Sequence, residues 1–139
     1  GEYTGGVERL RQLEQKIQAD KVAKRESSYV AYRILGADYT QQVSDKNANF
    51  EKVQKEHLEK LEAFVSQYPE SPDSADAMLQ LGINSELAND LKNASKWYDL
   101  ADKSFPDTPQ GKKARGASQR LRLEGVPVSF SGKTLDGKT

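Results

Sequence analysis

The chain has no cysteine in 139 residues, and it has only one histidine, one tryptophan and one methionine. The lack of cysteine excludes disulfides, thiolate chemistry and cysteine metal ligands from these residues. Long apolar runs are also missing, so we expect no insertion into a membrane. What the chain has in quantity is charge, at 30% of residues against 35% hydrophobic ones, which suits an elongated helical scaffold.

Neither sign of charge is in excess, since 21 Lys and Arg residues balance 21 Asp and Glu residues. A nucleic-acid-binding protein is expected to have a large basic surplus, so we predict no nucleic-acid partner. The charges are unevenly distributed, because residues 51–110 carry 12 acidic and 6 basic residues whereas 111–139 carry 2 and 7. Lys112, Lys113 and Arg115 form the densest basic group. They face solvent, pair with the acidic segment 51–110 of this same chain, or form an electrostatic docking surface for an acidic partner.

Apolar residues recur every three or four positions, which predicts an all-α fold of about six helices in antiparallel hairpins. The first two helices are marked by Val7, Leu10, Leu13 and Ile17, and by Tyr29, Tyr32, Leu35, Tyr39 and Val43. Residues 44–49 are typical of a break between helices. The predicted buried stripe of the third helix consists of Phe50, Val53, Leu58, Leu61, Val65 and Tyr68.

Two similar stops divide the rest of the chain: YPESP at 68–72 and FPDTP at 105–109. In each, a proline ends one helix, and a Ser-Pro or Thr-Pro pair supplies an N-cap and a first-turn proline for the next. The fourth helix is therefore predicted from about Pro72 to Asn89. A fifth helix contains Trp97 and Tyr98, and a sixth ends near Gly125.

The later unit has the spacing of a tetratricopeptide repeat. The matching residues are Met78, Leu81, Gly82, Ala94, Tyr98, Ala101 and Pro106. The earlier unit repeats the opening with Tyr32, Leu35, Gly36 and Tyr39, but its second half, with Leu61, Phe64 and Pro69, comes nine residues later. The chain thus resembles a tetratricopeptide-like array. Met78 and Ser85 replace the usual aromatic residues, and the first unit is longer than the family's.

The C-terminal stretch VPVSFSGKTLDGKT, residues 126–139, alternates apolar and polar residues as a strand does. Together with the preceding glycine it resembles the first strand of thioredoxin-like thiol–disulfide oxidoreductases. The matching residues are Gly125, Pro127, Phe130, Thr134, Leu135, Asp136, Gly137 and Lys138. The resemblance implies a helical domain at 1–125, a linker or first strand at 126–139, catalytic cysteines after Thr139, and a bacterial, extracytoplasmic or periplasmic protein. The alternative is an ordinary C-terminal hairpin or tail.

The remaining candidates for chemistry are weak. His57 lies beside Glu56 and one turn from Lys60, where we expect a solvated helix residue rather than a general base. The acidic residues of the third helix alternate with lysines, as in surface ion pairs. A phosphate-binding glycine loop and a calcium-loop spacing are both missing. We therefore predict no catalytic residue, no cofactor and no metal site in these residues.

Leu79, Ile83 and Leu87 form a second apolar stripe on the fourth helix, beside the stripe that faces the hairpin. A neighbouring helix covers this second stripe, or it docks another polypeptide. The functional hypothesis is a non-catalytic scaffold for protein–protein or interdomain contacts, the accessory region of a thiol–disulfide oxidoreductase. The alternative is a stand-alone tetratricopeptide adaptor of bacterial envelope assembly with no redox domain.

Overall fold

A computed structural model describes the backbone of residues 2–125 and the side chains of residues 5–125. This part of the chain is all-α and contains no strand. Its helices are α1 Glu2–Val43, α2 Phe50–Gln67, α3 Pro72–Leu87, α4 Leu91–Ser104 and α5 Pro109–Leu123. The predicted strand at 126–139 lies outside the described residues.

The predicted number of helices is wrong for the described residues, which form five rather than six. The first two predicted helices are one continuous helix, α1, of 42 residues. The sequence between their apolar stripes, residues 18–28, contains no proline or glycine and is rich in Ala, Lys, Gln and Arg, which favour helix. The gap in the apolar pattern therefore marks a change in the burial of α1, and the helical backbone continues through it.

The predicted stops are confirmed, and each following helix has a side-chain cap. Ser71 accepts a hydrogen bond from the Asp73 N–H before α3, and Thr108 accepts one from the Gly111 N–H before α5. Pro72 and Pro109 stand in the first turn of their helices. At the C-terminal end of α5, Gly125 has φ of 91°, the left-handed conformation that ends many helices.

Gly82 allows the closest approach between α3 and α4. A Cβ at this position would lie 2.5 Å from the Tyr98 ring, which is only 1% exposed. Around this contact the core includes Leu61 and Phe64 of α2, Met78 and Leu81 of α3, Ala94 and Ala101 of α4, and Ala114 and Leu121 of α5. Gly36, at the corresponding position of the earlier unit, has no such neighbour within 4 Å.

A buried carboxylate joins α4 to α5. Asp99 is 4% exposed and accepts hydrogen bonds from the Ser118 hydroxyl and from Arg122 Nη2, the latter at 3.3 Å. Gly111 lets the start of α5 pass close to the preceding turn, because a Cβ there would lie 1.8 Å from the Phe105 carbonyl oxygen. The α3–α4–α5 unit is therefore fixed by polar contacts as well as apolar ones.

The predicted stripe of α2 is confirmed in part. Val53, Leu61 and Val65 are buried, but Phe50 is 60% exposed and the prediction for it is wrong. Phe50 is the first residue of α2 and lies at the end of the bundle, where no helix passes over it. Phe64, which was left out of the stripe, is buried instead.

Candidate interaction surface

Helix α1 packs on the bundle through a short seam of polar and aromatic side chains. The Tyr39 ring stacks on the His57 imidazole with 4.0 Å between centroids. The Tyr39 hydroxyl donates a hydrogen bond to Gln54 Oε1 at 2.5 Å, and Gln54 Nε2 donates to Asn84 Oδ1 at 2.5 Å. Side chains of α1, α2 and α3 thus meet in one network.

The prediction for His57 as a solvated residue is wrong, because its side chain is 9% exposed beneath Tyr39. Burial lowers the pKa of His57, and nearby Lys60 lowers it further, while a hydrogen bond with Gln80 opposes both effects. The neutral imidazole is therefore favoured in the folded chain. Its stacking and hydrogen bonding account for its burial.

A second part of the seam surrounds Tyr32 of α1. Its hydroxyl donates a hydrogen bond to Asp76, and Gln80 Nε2 donates to both the hydroxyl and Asp76 at 2.8 Å. Burial and the neighbouring Asp76 raise the pKa of Tyr32, so this phenol remains a donor. Burial and Asp76 also raise the pKa of Asp73, while Arg33 acts against that rise. These groups hold α1 in place.

The predicted docking stripe on α3 divides into a covered and an open part. Leu79 is half-buried and packs against the core. Ile83 and Leu87 are 43% and 81% exposed. The other sides of α3 contact α1, α2, α4 and α5. Ile83 and Leu87 therefore lie on the side of α3 that these helices do not cover.

The three predicted basic residues of α5 are all exposed, but they face different directions. Successive residues of a helix are separated by about 100°, which places Lys113 and Arg115 almost on opposite sides. Arg115 Nε donates to Asp102 Oδ1 of α4 at 2.8 Å. Lys112 and Arg115 are three positions apart and share one side of α5, so the three cations are spread over the exposed side of the helix.

The sequence did not reveal that most of α1 is uncovered. Every residue from 5 to 27 is exposed, including Leu10, Leu13 and Ile17. Because 18 residues make about five turns, these three lie on the same face of α1 as Ser28, Ala31 and Leu35. Ala31 and Leu35 pack against the core, so the exposed residues Leu10, Leu13 and Ile17 are aligned with the covered part of α1. Asp20 and Lys24 lie on the same face between the two apolar groups. The position of α2 determines where the cover of α1 ends. Phe64, which contacts Tyr32 of α1, is one turn from the C-terminal end of α2.

Among residues 2–125, no group of three or more His, Asp or Glu side chains is arranged to hold a metal ion. None of the five helices is long and apolar enough to cross a membrane. A shallow depression on α1 is lined by residues of that helix alone, among them Gln15, Val22 and Glu26, so it has no second wall.

Comparison of the chain with protein-family models, with curated proteins and with solved structures gives no match.

Proposed function

We propose that this chain is a tetratricopeptide-like scaffold that holds another polypeptide and has no catalytic site of its own. The observation that carries the proposal is the open apolar face of α3, with Ile83 and Leu87 exposed on a helix packed on all its other sides. An apolar face that none of the described helices covers is typical of an interaction surface.

The repeat type is supported most directly by the contact between Gly82 and Tyr98. These residues occupy the glycine and aromatic positions of the later unit, and no side chain larger than hydrogen fits between the helices there. Ala94 and Ala101 are fully buried on the same helix as Tyr98. Gly36 lacks such a contact, so the proposed repeat geometry applies to α3–α4–α5 and departs from it at α1–α2.

We further propose that the held polypeptide is a thioredoxin-like domain, and that the chain is the accessory region of a bacterial, extracytoplasmic thiol–disulfide oxidoreductase. Residues 125–139 support this through their resemblance to the first strand of that family. In this arrangement α3 and α5 set the position of the redox domain, and the cysteines of that domain perform the chemistry.

A second function, an adaptor that joins two separate polypeptides, is favoured by the exposed face of α1. Leu10, Leu13 and Ile17 are 63%, 53% and 47% exposed, far along the chain from Ile83 and Leu87. Two separate apolar surfaces would let one chain bind two partners. In that case no redox domain is attached.

The test is reduction of insulin disulfides by the natural polypeptide that contains these 139 residues. The oxidoreductase proposal predicts activity, and the present chain, which has no cysteine, is the matched negative control. I83S with L87S should change the rate, because both substitutions weaken the seat of the redox domain. L10S with L13S should leave it unchanged. Absence of any disulfide reduction would leave only the adaptor.

A further inference from the structure

Four exposed apolar side chains lie at one end of the helical bundle, apart from those along α1. Helix α1 ends with Val43, α2 begins with Phe50, α3 ends with Leu87 and α5 ends with Leu123. Their exposed fractions are 37%, 60%, 81% and 89%. We call these four residues the apolar end.

Two hydrogen-bonded contacts place three of these residues at the same end. Gln54, one turn from Phe50, donates to Asn84, which is one turn from Leu87. Arg120, one turn from Leu123, donates to Glu86, the neighbour of Leu87, with 2.6 Å between Nη1 and Oε2. Val43 joins them because only the short loop 44–49 separates it from Phe50.

The opposite end of the bundle is closed differently. There α2 ends at Tyr68, which is half-buried, Ser71 is buried, and Phe105 is half-buried beside the start of α5. None of the exposed large apolar residues among 5–125 belongs to those turns. The two ends of the bundle thus differ. Among the described residues, the apolar end is the one that leaves large apolar side chains exposed to solvent.

The chain itself leaves the bundle at the apolar end. Helix α5 stops at Leu123, and Gly125 turns the backbone with φ of 91°. Fourteen residues follow, and the first seven, 126–132, carry no charge in a chain that is 30% charged. A proline at 127 restricts the residue before it to extended conformations.

The length and pattern of this segment match the end of the bundle. In an extended chain, Val126, Val128 and Phe130 lie on one side, about 6.6 Å apart. Neighbouring helix axes are about 8–10 Å apart, so a path from α5 over α3 to α2 covers about 20 Å. Six extended residues reach that far, at about 3.3 Å each.

We propose that residues 126–131 lie across the apolar end, with their three apolar side chains against Leu123, Leu87 and Phe50. A second copy of the chain is a weaker candidate for this place, because a segment attached next to the site is present at high effective concentration. The contact concerns only the present 139 residues. Its test on these residues therefore has an outcome that does not depend on whether a redox domain follows.

The experiment is an NMR study of the full 139-residue chain. We expect nuclear Overhauser contacts from the Phe130 ring to the Leu87 methyl groups. We also expect backbone order parameters above about 0.6 for residues 126–131, against lower values for a free segment. L87S with L123S should remove the contacts and bring these order parameters below that limit.

L10S with L13S is the matched control, since it also replaces two exposed leucines but on α1. It should leave residues 126–131 unchanged. Order parameters below about 0.6 in the unsubstituted chain would overturn the proposal. Contacts that persist in L87S with L123S would also overturn it. Contacts that weaken on dilution would overturn it as well, because they would show that a second copy of the chain occupies the apolar end.

Discussion

The Tyr39 ring lies over the His57 imidazole, with 4.0 Å between centroids and 21° between the ring planes. The pair joins α1 to α2, and Gln54 extends the contact to α3 through Asn84. Because α1 has no cover before residue 28, this seam is the main attachment of the longest helix.

The first prediction is that acid weakens the folded chain through His57. Its pKa is lowered in the folded state, so the unfolded chain binds the proton more readily. The stabilisation is complete above the unfolded pKa of about 6.5 and is lost as the pH falls from there towards the folded pKa. Urea unfolding between pH 7.5 and 5 should give a decreasing free energy of unfolding. H57Q should flatten this dependence, and an equally steep curve in H57Q would assign it to other groups.

The second prediction concerns the contact between α3 and α4. G82A should lower the free energy of unfolding by about 1–3 kcal/mol, because the added methyl group overlaps a buried tyrosine ring. G36A is the matched control, since its Cβ meets no other side chain. Alanine favours helix over glycine, so G36A should stabilise the chain by about 0.5–1 kcal/mol. Equal effects of the two substitutions would contradict the close approach at Gly82.

The third prediction compares two carboxylate–arginine pairs that join α4 to α5. D99A should cost about 3 kcal/mol, because Asp99 is buried and its loss leaves Arg122 and Ser118 without this acceptor. D102A should cost less than about 1 kcal/mol, because its pair with Arg115 is largely exposed. Thermal unfolding of both variants measures the difference. A larger loss in D102A than in D99A would be inconsistent with the buried position of Asp99.

The fourth prediction concerns the two parts of α1. Most of the stability of a helix in a protein comes from tertiary packing, which residues 28–43 have and the exposed residues 5–27 lack. Amide hydrogens of residues 5–27 should therefore exchange much faster than those of residues 28–43. Hydrogen exchange followed by mass spectrometry resolves the two parts. Equal protection would mean that something in solution covers Leu10, Leu13 and Ile17.

Local signals in the sequence predicted the starts of α3 and α5 well, but the predicted break within α1 is wrong. The start of a helix depends on only a few neighbouring residues. Here Ser71 and Thr108 are the N-caps, and Pro72 and Pro109 follow them in the first turn. Gly82 and Tyr98 were also predicted as a pair, because a known repeat spacing relates them.

Burial was predicted less well, because it depends on where other helices end. His57 was expected in solvent, since its neighbours in sequence are charged, but Tyr39 lies over it from another helix. Phe50 was expected in the core, yet it stands at the end of the bundle. The exposed apolar residues of α1 are aligned with its covered ones, and the position of α2 shows where the cover stops.

The most direct test of the central proposal is to read the natural coding sequence beyond the codon for Thr139. The oxidoreductase account predicts a Val-rich strand followed by Trp-Cys-x-x-Cys or by a single peroxidatic cysteine. A stop codon at that point, or a further helical repeat in place of the strand, would contradict it and leave the scaffold without a redox domain.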